Sequence, residues 1–162
     1  MAANIAPGLN RRFSAERFGV IPRNVWEEER ERARSLERPC DDFTAYGSDL
    51  DAKAIEIAKV NAERAGVADK ISFKVADVAK FSPETERATL ICNQPYGERL
   101  LDLKECEANY NTMGKVFEQK KGWSYSIISP DEEFEKAFGR KADKRRKLYN
   151  GMIKCQLFMY YK

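Results

Sequence analysis

The chain has 162 residues, 43% hydrophobic and 34% charged, with a formal net charge of +3. That suffices for one domain with a core, and no apolar run approaches the roughly 20 residues of a membrane span. Histidine is absent, which removes imidazole general bases, Ser-His and Cys-His nucleophiles and most zinc chemistry. Cys40, Cys92, Cys106 and Cys155 are scattered with no CxxC pair, so no metal site or disulfide framework is expected. A reducing, cytoplasmic setting is the expectation, and Met1-Ala2-Ala3-Asn4 does not open a secretory signal.

Residues 1–39 hold no strand pattern, and Trp26 to Leu36 reads as a highly charged helix. Phe43 to Ser48 reads as a strand with Asp49 at its end. Asp51 then suits a helix N-cap, and an amphipathic helix follows to Gly66. Ile71 to Val75 alternates and is β-branched, a strand ending near Asp77. Thr89 to Cys92 is a short apolar run into Asn93, the pattern of a strand covered on both faces. Tyr110 to Gln119 reads as a helix, Ser124 to Ile128 as a strand and Asp131 to Phe138 as a short helix. Asn150-Gly151 between strand-like runs predicts a hairpin of the type I′ kind. The order describes an α/β sheet with parallel crossovers and an antiparallel edge. The basic stretch Arg140 to Lys147 reads alone as a solvated loop or helix face; beside a catalytic loop it suits nucleic-acid phosphates.

Asp49, Asp77 and Asn93 each end a predicted parallel strand, where ligands of open α/β sheets bind. Singly, each Asp is ordinarily a turn or cap residue. Together they suit a nucleoside cofactor, since one carboxylate can accept from both ribose hydroxyls and the other from an adenine amine. In Asn93-Gln94-Pro95-Tyr96-Gly97, the Asn oxygen and a backbone carbonyl would accept both N–H groups of an exocyclic amine. That frees its delocalised lone pair to attack a methyl donor. Pro95 holds the preceding residue extended, and Tyr96 would stack on a base.

Asn93 to Leu100, reading Asn-Gln-Pro-Tyr-Gly-Glu-Arg-Leu, resembles the NPPYGERL segment of the bacterial RNA guanine-N2 methyltransferases that carry a THUMP domain. Asn4 to Arg11, Tyr46 to Asp51, Trp123 to Asp131 and Lys147 to Gly151 are similar to that family too. The resemblance implies a Rossmann-like methyltransferase fold with a C-terminal antiparallel hairpin, S-adenosylmethionine as cofactor, and guanine in ribosomal RNA as acceptor. It places Asp49 on the cofactor ribose and Asp77 on its adenine, and has Asn93, Pro95 and Tyr96 present the target amine from a flipped base. The family has Pro where Gln94 stands, so a looser loop and reduced activity are expected. Its first strand, Gly-rich loop and THUMP domain have no counterpart here, and no Gly-x-Gly occurs. The expectation is thus a partial catalytic domain, with 1–40 a helical N-terminal segment and 41–162 the sheet core. Weak cofactor binding and self-association through open strand edges follow from that. The rival readings are an amino-methyltransferase acting on DNA adenine or protein glutamine, and an inactive, self-associating remnant.

Overall fold

A computed structural model describes residues 2–82, 85–94, 103–117 and 121–161. They form two compact units, Met1–Val75 and Ala76–Lys162.

The first unit opens with irregular chain and a charged helix, α1 (Arg23–Ser35), which follows Pro22. Pro22 has φ −56°, the angle its ring imposes, and leads the chain into the helix. Trp26 stacks on Phe13 with ring centroids 6.1 Å apart. Glu16 accepts the Phe13 N–H at 2.8 Å and pairs with Arg30. The Asn4 amide donates to the Leu36 carbonyl at 2.7 Å, filling an acceptor that the end of α1 leaves open. β1 (Ala45–Asp49) and β2 (Ile71–Val75) pair in parallel, Ala45 opposite Ile71 and Asp49 opposite Val75. α2 (Ala52–Arg64) joins them as a crossover and buries Ile55 and Ala62. Asp51 caps α2 as expected, accepting from the Lys53 N–H at 2.8 Å. Gly66, at φ +69°, follows its end. Gly47 is required by its partner: a Cβ there would lie 2.8 Å from the Phe73 ring.

The second unit is a four-stranded sheet with strand order β3-β4-β6-β5. β3 (Ala88–Asn93) and β4 (Trp123–Ser129) are parallel, linked through α3 (Leu103–Val116). After the short helix α4 (Phe134–Phe138), β5 (Lys144–Asn150) and β6 (Ile153–Tyr160) form the antiparallel hairpin. β4 alternates strictly, with Trp123, Tyr125, Ile127 and Ser129 buried. Those apolar residues meet Cys106, Tyr110 and Met113 on α3 and Phe117 just past its end, Phe134 and Phe138 on α4, and Phe158 and Tyr160 on β6. Aromatic rings dominate this core: Phe134 and Phe158 lie 4.6 Å apart, and Phe117 stacks on Tyr125 at 5.4 Å. Burial of each such side chain is worth about 1.5–3 kcal/mol.

Several details correct the sequence reading. α1 begins at Arg23, three residues before Trp26, because Pro22 fixes its start. Thr89 to Cys92 is not covered on both faces: Ala88, Leu90 and Cys92 pack on the core, while Ile91 is 79% exposed. An apolar run reports burial only on average, and here the two faces differ. The basic stretch is neither loop nor helix face from Lys144 onward but the edge strand β5. The hairpin turn is Gly151-Met152, since Asn150 still pairs with Ile153. Gly151 has φ +61° and Met152 is not among the positive-φ residues, the pattern of a type II′ turn rather than I′. β1 and β3 each pair on one side only, so the described strands form two sheets.

Candidate functional site

In the first unit Asp49 is the last residue of β1 and is exposed. Its Oδ1 accepts the Asp51 N–H at 2.8 Å, an Asx turn that holds the carboxylate at the strand end. This is the ordinary turn role for an Asp there, and it occupies one oxygen. The other oxygen keeps acceptor capacity toward solvent, which a ribose diol requires.

In the second unit Asp77 is likewise exposed, and accepts the Ala79 N–H at 2.8 Å as it starts a single turn of 3-10 helix, Val78–Lys80. That turn is anchored by Val78 and Phe81 packing on the core, with Phe81 edge-on to Phe117 at 5.1 Å and to Trp123 at 5.9 Å. The anchoring fixes where the carboxylate points, and its second oxygen is again open to an amine donor.

Asn93 ends β3 in register with Ile128 and lies on the strand's exposed face, with Thr89 and Ile91. Asn93 is therefore exposed at the carboxyl end of the strand. Its neighbours are inert. The Cys92 thiol is pushed up to about 11 by burial, so it stays protonated at neutral pH and offers no nucleophile. Gln94 is 9% exposed, and neither its Oε1 nor its Nε2 has a hydrogen-bond partner. An unsatisfied buried amide is a cost, and sequence reasoning, which took Gln94 only as a loosened loop position, missed its burial. Pro95 and Tyr96, the other expected members of the loop, lie outside the described residues.

Ser129 is a second position that the sequence did not announce. It ends β4, is fully buried, and its hydroxyl meets the Tyr110 hydroxyl at 3.2 Å and accepts the Asp131 N–H at 3.1 Å. The signal was present in Ser129-Pro130-Asp131, whose turn chemistry marks a strand end. Its effect is to tie the carboxyl end of β4, beside that of β3, to α3. Among the described residues no cluster of three or more His, Cys, Asp or Glu is placed to hold a metal ion. Likewise no described helix is long and apolar enough to cross a membrane. Each unit thus presents acceptors at the carboxyl ends of its strands, Asp49 in the first and Asp77 and Asn93 in the second. Carboxylate and carboxamide oxygens of this kind accept hydrogen bonds from hydroxyl and amine donors.

Residues 1–158 match the family model described as the RMKL-like methyltransferase domain. The chain is 41% identical over 161 residues to YpsC of Bacillus subtilis (strain 168), provisionally named an RNA methyltransferase, covering 98% of this chain and 41% of that protein. It is 40% identical over 165 residues to the ribosomal RNA large subunit methyltransferase K/L of Shewanella baltica (strain OS185), covering 99% and 23%. Among solved structures it is similar to SMU.472, provisionally named a methyltransferase and complexed with SAH. The TM-score is 0.89 at 40% identity, covering 98% of this chain and 42% of that one. It is also similar, with TM-score 0.83 at 40% identity and coverage of 98% and 41%, to a protein of Listeria monocytogenes str. 4b F2365. That protein is named, from prediction, as an N6-adenine-specific DNA methylase. This chain spans less than half the length of each.

Proposed function

We propose, for a chain that belongs to the RMKL-like methyltransferase-domain family and has the Rossmann-like α/β fold of its solved relatives, that it is part of a catalytic domain that methylates an exocyclic amine in RNA. The observation that carries the reading is Asn93, exposed at the end of a parallel strand and continuous with Pro95-Tyr96. The acceptor we favour is N2 of guanine in large-subunit ribosomal RNA, supported by the name of the Shewanella relative and by the Gly97-Glu98-Arg99-Leu100 extension.

S-adenosylmethionine, when bound, supplies an electrophilic sulfonium methyl group. By the family resemblance Asp49 would accept from its ribose hydroxyls and Asp77 from its adenine amine; each carboxylate has one oxygen engaged in a local turn and a second oxygen to offer. Asn93 Oδ1 accepts one N–H of the target amine, which localises the nitrogen lone pair and aims it for in-line attack. The hydrophobic packing of Ala88, Leu90 and Cys92 keeps β3 from yielding as that bond forms. Tyr96 stacks on the flipped base. The proton lost from nitrogen passes to solvent. The unpaired sides of β1 and β3 support self-association as well.

A second reading, methylation of adenine N6 in DNA, is favoured by the name of the Listeria protein. The amine chemistry of Asn93 serves either base. Transfer of labelled methyl groups to RNA, duplex DNA and a release factor separates the readings. Labelled RNA alone is expected, and labelled DNA or release factor with unlabelled RNA would overturn the RNA assignment.

A further inference from the structure

The cations of the β5 hairpin fall into two groups when their partners are examined. Arg140 is structural: it donates to the Phe117 carbonyl and its guanidinium lies 4.9 Å from the Phe138 ring centroid and 5.4 Å from that of Tyr160. Arg145 is held by both carboxylate oxygens of Glu135, and Lys154 pairs with Glu132 at 3.5 Å. Lys144, Arg146 and Lys147 have no ion pair among the described residues, although all three are exposed. The nearest acid in sequence, Asp143, is engaged with the Tyr161 N–H at 2.7 Å.

These three uncompensated charges stand in four consecutive residues of an edge strand. Lys144 and Arg146, opposite Met159 and Leu157, share one face. They are separated by about 6.8 Å, two residues at an antiparallel rise of about 3.4 Å each. That step is comparable to the phosphate repeat of an extended nucleic-acid strand. Lys147 lies on the other face, 5.2 Å from the centre of the Tyr149 ring, and Tyr149 is 64% exposed. Two unpaired cations on one face of an edge strand and a third beside an exposed ring on the other flank the strand's outer edge, and cations with an exposed ring are what single-stranded nucleic acids use, phosphates on the charges and a base on the ring.

Resting on the reading of the substrate as RNA, we propose that the β5 edge and its Tyr149 form a binding surface for the backbone of single-stranded RNA. The competing explanation is that edge charges merely prevent strand-to-strand association. The two differ in what charge removal does. A guard strand whose lysines are removed aggregates but changes no affinity. A phosphate-binding strand loses affinity and salt dependence.

The test is fluorescence anisotropy of a labelled single-stranded RNA oligonucleotide over a salt series. The parent is compared with the triple variant Lys144→Gln/Arg146→Gln/Lys147→Gln and with Tyr149→Ala. Each phosphate contact on a single strand contributes about 0.7 to the slope of log K against log salt, so loss of three lowers it by about 2. Affinity should fall at least tenfold in the triple variant and several-fold in Tyr149→Ala. A charge-matched control, Lys53→Gln/Lys59→Gln/Lys74→Gln on the first unit, should stay within about twofold, since it removes net charge but no phosphate contact. Unchanged slope and affinity in the β5 triple variant would overturn the proposal, as would an equal loss in the control or tighter binding of duplex DNA by the parent. Methyl transfer is not read in this assay. RNA binding that depends on β5 in a protein that labels only DNA would fault the reaction assigned above and leave this surface standing.

Discussion

Gly114 is where the core of the second unit is least forgiving. It lies inside α3, where glycine is a poor choice on propensity alone, by about 1 kcal/mol relative to alanine. Its reason is packing. A Cβ at Gly114 would sit 2.0 Å from the Phe138 carbonyl oxygen and 2.9 Å from that carbonyl carbon. Both are backbone atoms at the end of α4, so no rotamer change relieves the clash; the two helices must separate. Overpacking of a tight core costs about 1–3 kcal/mol, and a backbone clash belongs at the upper end, about 3. Subtracting the gain in propensity leaves Gly114→Ala about 2 kcal/mol less stable. For a chain of 162 residues that lowers the Tm by about 4–8 °C. Urea unfolding followed by circular dichroism should show a lower midpoint with an unchanged m-value. If Gly114→Ala proved as stable as the parent or more so, propensity alone would be deciding, and the close approach of α3 to α4 would be refuted.

Gln94→Met should raise stability by about 1 kcal/mol in the same assay, because it replaces a buried amide with two unsatisfied atoms by an apolar chain of similar length; a loss would mean that the amide has a partner. Asp51→Ala should cost about 1 kcal/mol through the lost cap on α2, and an unchanged midpoint would count against that bond. The Cys92 thiol, raised by burial from 9.0 to about 11, ionises more readily in the unfolded chain. Its contribution is therefore whole below about pH 9 and is lost as pH rises toward 11, so the unfolding midpoint should fall across that window in the parent and less in Cys92→Ala. Equal falls in both proteins would contradict the assignment.

Local chemistry made much of this fold legible. Asp51 before an amphipathic run, the alternation of Ile71 to Val75 and the apolar entry to Asn93 each mark an element by its own residues. What the sequence concealed was set by tertiary partners. The exposed face of β3 could not be read from an apolar run, since Ile91 looks like Leu90 until the sheet's one-sided packing is seen. The strand character of Lys144 to Lys147 comes from pairing with β6, against the polar appearance of the segment. Asp49 and Asp77 were legible as strand-end carboxylates, yet their turn bonds to Asp51 and Ala79 are what hold them in place. The burial of Gln94 had no signal in its neighbours at all.

Asn93 is proposed to present an exocyclic amine of RNA for methylation. Nucleoside analysis by mass spectrometry of ribosomal RNA treated with the protein and S-adenosylmethionine tests it most directly, with Asn93→Ala in parallel. N2-methylguanosine is the expected product, formed about 100-fold more slowly by Asn93→Ala, with cofactor affinity in that variant changed far less than the rate. RNA left without a methylated exocyclic amine, or an Asn93→Ala variant as fast as the parent, would contradict that role, whereas N6-methyladenosine in place of N2-methylguanosine would overturn the choice of base.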